Sequence, residues 1–240
     1  MITDWLPTSA KEVQMRGWDE LDVILFSGDA YVDHPSFGAA VIGRVLEDAG
    51  YRVAIVPQPN WRDDLRDFKK LGKPRLFFGV SPGAMDSMVN HYTAARRRRS
   101  DDAYTPDGRA GQRPDMPSIV YSRILKEIYP DVPIVLGGIE ASLRRLSYYD
   151  YWEDRLRPSL LLECDADVIC YGMGEKTMVE IARRIEDGLP YDDLPQTVVR
   201  RDKIEPEGND IVLHPYEECL KNKKLQADNF RHIEEESNKW

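Results

Sequence analysis

The sequence lacks the features that mark several broad classes of protein. No apolar run approaches the ~18 residues that a membrane-spanning helix needs, and the segment MITDWLPTSAKEVQMRG has no apolar core of a secretory signal. Only three cysteines occur, Cys164, Cys170 and Cys219. Their scarcity favours a reducing compartment and predicts a cytoplasmic protein, and their spacing matches no common metal site. A net charge of −9 disfavours a general binder of nucleic acid or anionic membranes.

What the sequence contains is an alternation of buried strands and amphipathic helices. Five short apolar runs are typical of fully buried strands, at residues 21–28, 51–57, 75–80, 132–138 and 166–172. Between them lie segments whose apolar residues have helical spacing, at 36–50, 61–72, 118–130 and 175–188. Ser81-Pro82 predicts a further helix start. The alternation predicts an α/β fold with a doubly wound, mostly parallel five-stranded sheet of flavodoxin-like type.

The same patterns suggest how the chain is divided. The α/β domain is predicted over residues 21–190, with residues 1–20 as a lead segment. Residues 191–240 are expected to form an extension of short strands, turns and a polar helix. Apolar positions are so sparse in that helix that we expect something further to pack there.

Candidate binding residues are expected at one edge of this sheet. Ligands of open parallel sheets bind outside the carboxyl ends of the strands, so the segments 28–37, 80–83, 137–145 and 172–175 should share one rim. The candidates in these segments are Asp29, Asp33, His34, Ser36, Gly137, Gly138, Glu140, Ser142, Arg144, Arg145, Gly172, Gly174 and Glu175.

Several of these residues also have a purely structural interpretation. Ser36 or Asp33 would serve as a helix cap, Glu140 would complement a helix dipole, and a lone Gly-x-Gly is typical of many turns. A hydrolase using Asp33, His34 or Glu140 as acid–base groups is disfavoured, because no G-x-S-x-G nucleophile motif occurs. We therefore expect binding residues at the rim but no catalytic residues and no metal site.

The run Arg96–Arg99 precedes a Pro/Gly/Asp-rich connection over residues 100–117, whose length is typical of functional or disordered segments. One interpretation is contact with an anion or a nucleic acid, with Tyr104 near it. The other is a solvated surface paired with Asp101 and Asp102. Because the net charge is −9, the solvated surface is favoured over contact with a nucleic acid. Contact with a phosphate or carboxylate ligand stays open.

Several long stretches resemble the N-terminal part of the YgiQ-type radical SAM proteins. They are RGWDELDVILFSGDAYVDHPSFGAA, HYTAARRRRSDDAYTPDG, VPIVLGGIEASLRRLSYYDYWEDRLR and YGMGEKT, and the resemblance covers nearly the whole chain. It implies a cobalamin-binding-like domain ahead of a radical SAM barrel in the same chain. In that barrel a [4Fe–4S] cluster on C-x3-C-x2-C cleaves S-adenosylmethionine and starts radical chemistry.

The sequence departs from that family pattern in two ways. No C-x3-C-x2-C occurs, so the cluster and S-adenosylmethionine are implied for full-length members only, and this chain is expected to be an N-terminal piece without turnover of its own. Cobalamin domains with a histidine ligand carry D-x-H-x-x-G, whereas this sequence has Asp33-His34-Pro35-Ser36-Phe37-Gly38. Pro35 stands at the ligand position, so axial histidine ligation is not expected, and cobalamin without such a ligand stays open.

Two functions are consistent with these residues. The first is an accessory domain that covers the cofactor or substrate side of a radical SAM barrel, with that barrel as its partner. The alternative is a stand-alone module of flavodoxin-like fold that binds an anionic ligand or nucleotide. There the arginines at 96–99, 144 and 145 would meet the anion at helix N-termini. No cofactor is expected for this chain alone, and neither a membrane nor a nucleic acid is an expected partner.

Overall fold

The computed structural model describes residues 4–203 and 205–239. Eight strands lie in this part of the chain: β1 (Val23–Ser27), β2 (Val53–Pro57), β3 (Phe77–Ser81), β4 (Ile134–Leu136), β5 (Tyr148–Asp150), β6 (Arg155–Arg157), β7 (Val168–Cys170) and β8 (Thr197–Val199). Six of them form one sheet in the order β2-β1-β3-β4-β7-β8. All neighbours in it are parallel except β8, which pairs antiparallel with β7.

Ten α-helices and one short 3-10 turn connect the strands in the described residues. They are α1 (Ala10–Met15), α2 (Gly38–Asp48), α3 (Arg66–Lys69), α4 (Ser87–His91), the 3-10 turn Pro106–Gly108, α5 (Pro117–Ile128), α6 (Gly138–Leu143), α7 (Leu160–Glu163), α8 (Glu175–Glu186), α9 (Tyr216–Lys221) and α10 (Lys223–Ser237). Helices α2 and α8 pack on one face of the sheet, and α3 and α5 on the other. Because the connections run to both faces, strand order reverses between β1 and β3.

The strands form because both of their faces are buried. In β1, Ile24 and Phe26 pack into the core beneath α3 and α5, and Val23 and Leu25 pack into the core beneath α2 and α8. Gly79 in β3 belongs to the second face. A Cβ atom on Gly79 would lie 2.5 Å from Cδ2 of Leu25, so glycine leaves room for that side chain.

The predicted fold class is confirmed, and the five expected strands are the five parallel strands of the sheet. The predicted helix start at Ser81-Pro82 is wrong. Ser81 is the last residue of β3, and helix α4 begins only at Ser87. The Asp86 carboxylate accepts hydrogen bonds from the backbone N–H groups of Met88 (3.1 Å) and Val89 (3.3 Å), so Asp86 caps the helix in its place.

The chain divides into two compact units. The first extends to Arg145 and includes Leu160–Arg200, and therefore contains the whole six-stranded sheet. The second comprises Leu146–Ser159 and the chain from Arg201 onward. The domain boundaries expected at residues 20 and 190 stay predictions.

The second unit contains the β5–β6 hairpin and helices α9 and α10. Tyr216 Oη donates to the carbonyl of Leu156 (3.2 Å). The buried Asn229 side chain is hydrogen-bonded to both backbone groups of His214. The expected single polar helix is two helices, because Asn222 ends α9 and caps α10 through the N–H of Lys224 (3.1 Å).

Within residues 4–203 and 205–239, no helix is long and apolar enough to span a bilayer. The cytoplasmic location stays a prediction.

Candidate ligand-binding site

A cavity of about 300 Å³ opens at the carboxyl ends of the parallel strands, between the sheet and helices α2 and α8. Its walls come from β1, β3 and β4, from the turn after β7 and from the starts of α2, α6 and α8. The lining residues are Leu25, Phe26, Pro35, Ser36, Gly38, Ala39, Val41, Ile42, Gly79, Val80, Ser81, Gly83, Ala84, Val135, Gly137, Gly138, Ile139, Cys170, Gly172, Met173, Gly174, Glu175 and Met178. The position is the one where open α/β sheets bind their ligands.

Glycines keep this cavity open, since seven of the lining residues are glycine. At Gly138 φ is +80°, and a Cβ atom would lie 2.8 Å from Ser81 Oγ. At Gly174 a Cβ atom would lie 2.7 Å from Cys170 Sγ. Side chains at these two positions would collide with Ser81 and Cys170, so glycine lets the backbone itself form the wall there.

The polar groups of the cavity are few and carry no positive charge. Ser36, Ser81 and Glu175 contribute oxygens, and no lysine or arginine is among the described lining residues. Burial, with a smaller contribution from the Glu175 charge, raises the pKa of the Cys170 thiol to about 12, so this sulfur is a neutral thiol at physiological pH. The chemistry of the walls fits an uncharged, largely apolar group.

The crevice between β1 and β3 is filled by the protein's own charged groups. Nη1 of Arg113 lies 2.6 Å from Oδ1 of Asp29, just after β1, and donates to the carbonyl of Pro82 (2.8 Å), just after β3. Its Nη2 is 3.3 Å from Oδ1 of Asp102. Burial raises the pKa of Asp29, and the N–H of Ala84 and Arg113 oppose that rise. Arg113 therefore holds the connection over residues 100–117 against the sheet edge.

A second buried group of charges lies beside it. Arg144 forms an ion pair with Asp86, the residue that caps α4. Glu140 is completely buried, and its Oε1 accepts the backbone N–H of Ser118 at the start of α5 (3.1 Å). Burial raises the pKa of Glu140 to about 7, against the opposing charge of Arg144. These residues tie α4, α5 and α6 together and do not line the cavity.

Asp33 and His34 also lie outside the cavity lining. Hydrogen bonds from Arg44, with Nε 3.1 Å from Oδ1, lower the pKa of Asp33. His34 is exposed, and its Nδ1 accepts the N–H of Ser36 (3.1 Å). The prediction that Ser36 or Asp33 caps α2 is wrong, because Phe37 occupies the cap position and makes no side-chain cap bond.

Ser142 and Arg145 lie outside the cavity lining and stabilise its walls. Ser142 Oγ donates to the carbonyl of Gly138 (2.9 Å) and accepts the N–H of Gly172 (3.1 Å), so it links two of the glycine walls. Arg145 donates from Nη1 to the carbonyl of Ser142 (2.6 Å) and lies over the ring of Tyr171.

The cavity thus brings together six of the thirteen predicted binding residues: Ser36, Gly137, Gly138, Gly172, Gly174 and Glu175. It also contains Gly79 of β3 and Cys170 of β7, which are not among the predicted residues. Arg113 was missed as well. The only signal for it was its place in an unusually long connection.

The residues present do not supply a histidine that would ligate the cobalt of a cobalamin at this site. His34 lies outside the cavity lining, whereas Pro35 lies within it. In the described part of the chain, no three or more His, Cys, Asp or Glu side chains are grouped so that they could hold a metal ion.

The strand order and the cavity define a doubly wound α/β domain with its candidate site at the carboxyl edge. The chain belongs to the radical SAM N-terminal family, whose sequence profile matches residues 5–240. It is 64% identical over 255 residues to a UPF0313 protein of Bacteroides thetaiotaomicron, covering 100% of this chain and 41% of that protein. It is 63% identical over 246 residues to one of Porphyromonas gingivalis, covering 100% and 39%. The expected family is confirmed, and the chain spans about two fifths of these relatives.

Among solved structures, the chain is similar to TsrM from Kitasatospora setae, a radical S-adenosylmethionine methyltransferase. The form with tryptophan substrate and a SAM analogue gives a TM-score of 0.46 at 21% identity, covering 75% of this chain and 28% of that one. The form with cobalamin and a [4Fe–4S] cluster gives 0.47 at 20% identity, covering 75% and 29%.

Proposed function

We propose that this chain is the accessory domain of a longer radical SAM iron–sulfur protein and takes part of that protein's cofactor or substrate into the cavity at its carboxyl edge. The observation that carries the proposal is the glycine-walled cavity of about 300 Å³. Its size and apolar walls suit an organic group of small-molecule dimensions. No catalytic role is assigned to the chain, since the candidate acids Asp29 and Asp33 are paired with arginines and Glu140 is buried.

Exposed apolar side chains at the same edge support a covering role. Six large apolar residues are exposed in the segments that follow β1, β3, β4 and β7: Val32, Met85, Val89, Ile139, Leu143 and Met173. Met173, in the cavity wall, is 77% exposed. Ile139 also lines the cavity, and exposed apolar side chains at a cavity mouth are typical of an interaction site. The radical SAM region expected in the longer relatives is the partner that we propose for this edge.

For the cofactor, the residues present suit cobalamin only without a histidine ligand. Pro35, Ser36 and the glycine walls would contact the bound molecule, and none of them ligates a metal. When bound, cobalamin would supply an alkyl-transfer centre. The cluster and S-adenosylmethionine would belong to the following region, because this chain has no C-x3-C-x2-C.

The alternative, a stand-alone module for an anionic ligand or nucleotide, has less support. Arg144 is paired with Asp86, and Arg145 donates to a backbone carbonyl and lies over an aromatic ring. Neither lines the cavity, and no described lining residue is cationic. An anion would therefore find no opposite charge there.

Cavity filling tests the proposal. Ala39 lies in α2 and lines the cavity, so Ala39→Leu should reduce its volume. Ala10, exposed at the start of α1, gives the matched control Ala10→Leu. Binding of hydroxocobalamin, S-adenosylmethionine, ATP and inorganic phosphate is measured by calorimetry. We expect hydroxocobalamin to bind, Ala39→Leu to weaken that binding at least about tenfold, and Ala10→Leu to leave it unchanged.

Preferential binding of phosphate or ATP would favour the alternative. Binding of none of the four, or binding indifferent to Ala39→Leu, would refute the use of this cavity. In a full-length relative, the change equivalent to Ala39→Leu should lower product formation and leave the absorbance of the cluster unchanged.

A further inference from the structure

The arginine run Arg96–Arg99 lies in a tight, hydrogen-bonded turn. Residues Tyr92 and Arg98 form an antiparallel bridge, and the N–H of Thr93 donates to the carbonyl of Arg97 (2.9 Å). Arg96 adopts φ +58° at the tip, and its N–H donates to the carbonyl of Thr93 (2.9 Å). All four arginines are exposed. The turn thus places four exposed arginines side by side at the surface.

The acids expected to neutralise this run do not do so. Asp102 is buried against Arg113, and Asp101 accepts a hydrogen bond from Ser100. In the part of the chain that the structure describes, at least thirteen arginines are ion-paired with acids, and four more donate to backbone carbonyls. Among the described residues, the guanidinium groups of Arg97, Arg98 and Arg99 make neither kind of contact. Arginines without an ion pair are therefore concentrated in this turn of a chain whose net charge is −9, where Asp115 interacts with Arg98 only through its longer-range charge.

An aromatic side chain lies next to this charge. The backbone of Gly111, at φ +81°, is so close to Arg98 that a Cβ atom there would lie 2.5 Å from Nη2. The carbonyl of Gly111 accepts Nη1 of Arg62 (2.9 Å), and the guanidinium of Arg62 stacks over the ring of Trp61 at 4.3 Å. Tyr104, expected near the run, lies instead against Arg113. Trp61 and Arg62 therefore extend the basic turn into a mixed aromatic and cationic patch, which we call the Arg–Trp patch.

We propose that the Arg–Trp patch, formed by Trp61, Arg62 and Arg96–Arg99, binds single-stranded nucleic acid. Guanidinium groups bind phosphate oxygens with paired hydrogen bonds, and the guanidinium plane of Arg62, held by the half-buried Trp61 ring, is a surface on which a base can stack. A small anion would need only one or two of these arginines. A consecutive run with an adjacent aromatic ring fits a chain of phosphates with bases between them.

The test uses the whole 240-residue chain and fluorescently labelled single-stranded RNA of about 12 nucleotides, with DNA of the same sequence as a second arm. Anisotropy is measured over a series of salt concentrations. The variant changes Arg97, Arg98 and Arg99 to alanine. The matched control changes Lys221, Lys223 and Lys224 to alanine, which removes the same charge from exposed positions of the other unit. Because all six positions are exposed, both proteins should fold, and circular dichroism checks this.

We expect the arginine variant to bind at least about tenfold more weakly at low salt, with the slope of log Kd against log salt reduced by about 2, as for three lost phosphate contacts. The lysine control should bind like the unchanged protein. Trp61→Leu should weaken binding about tenfold without changing the slope. A preference for RNA over DNA would identify RNA as the nucleic acid that the patch binds.

Three results would overturn the proposal. One is no binding of either nucleic acid at low salt. Another is equal weakening by the arginine and lysine variants. The third is binding of poly-glutamate as tight as that of RNA, which would point to an acidic protein partner. None of these results bears on the cavity, because the Arg–Trp patch shares no residue with it.

Discussion

Glu140 makes the stability of this domain depend on pH, and replacing it with glutamine tests why. The carboxyl group is completely buried. Its Oε1 accepts the N–H of Ser118, while Oε2 has no hydrogen-bond partner among the described residues. Burial raises its pKa from 4.5 to about 7, Arg144 opposes the rise, and the charge of Asp86 adds to it.

The sign of the pH dependence follows from the fact that the Glu140 carboxyl binds its proton more tightly in the folded state than in the unfolded state. Between pH 4.5 and about 7 the folded state holds a proton on Glu140 that the unfolded state has released. Stability therefore falls as pH rises through this interval, and above it the buried carboxylate carries the full cost. The shift corresponds to about 3 kcal/mol. Glutamine keeps the acceptor for Ser118 and has no proton to lose, so Glu140→Gln should remove this pH dependence.

Urea unfolding followed by circular dichroism measures the free energy of unfolding at pH 5 and pH 8. We expect the free energy of unfolding of Glu140→Gln, relative to that of the unchanged protein, to be about 2–3 kcal/mol higher at pH 8 than at pH 5. Any constant cost of burying the amide cancels in this comparison. The exposed Glu127 on α5 gives the control Glu127→Gln, which should follow the unchanged protein at both pH values. Parallel pH profiles for Glu140→Gln and the unchanged protein would refute the reasoning.

Three further outcomes follow from other contacts. Arg113→Met leaves two buried carboxylates without their cation and should lower the free energy of unfolding by about 3–5 kcal/mol in urea; a loss below about 1 kcal/mol would mean that these acids do not depend on it. Gly138→Ala should destabilise more than Gly188→Ala, because both glycines have positive φ but only Gly138 would bring a Cβ atom against Ser81; equal losses of thermal stability would contradict this. With its pKa raised to about 12, Cys170 should resist iodoacetamide at pH 8 in the folded protein and react in urea; mass spectrometry that finds it modified in the folded protein would be inconsistent with this environment.

The parallel strands were predictable because burial on both faces leaves an unmistakable local pattern. Each central strand is a short apolar run, and side chains on both faces reach a core. The end of β3 was not predictable in this way. Ser81-Pro82 has the local chemistry of a helix start, but β3 pairing continues through Ser81, and a better cap follows at Asp86.

The candidate site was predictable to the extent that it depends on backbone. The glycine turns after β4 and β7 line the cavity as expected. Charged residues were harder to place, because their positions depend on partners that are remote in sequence. Arg144 pairs with Asp86, which lies 58 residues earlier in the sequence. Asp102 pairs with Arg113 rather than with the arginine run beside it. No local spacing encodes such pairings.

The contact between Arg113 and Asp29 also has a consequence for the order in which the protein is made. The two residues are 84 positions apart, and Asp29 is almost completely buried in the finished domain. During synthesis, β1, β2 and β3 can leave the ribosome and pair while Asp29 is still hydrated and without its cation. Only after residue 113 has emerged can this edge of the sheet exclude water. Closure of this crevice therefore follows the synthesis of the first three strands and precedes that of β4 and β7, and an interruption of synthesis before residue 113 leaves a nascent chain whose charged crevice is open to chaperones and proteases.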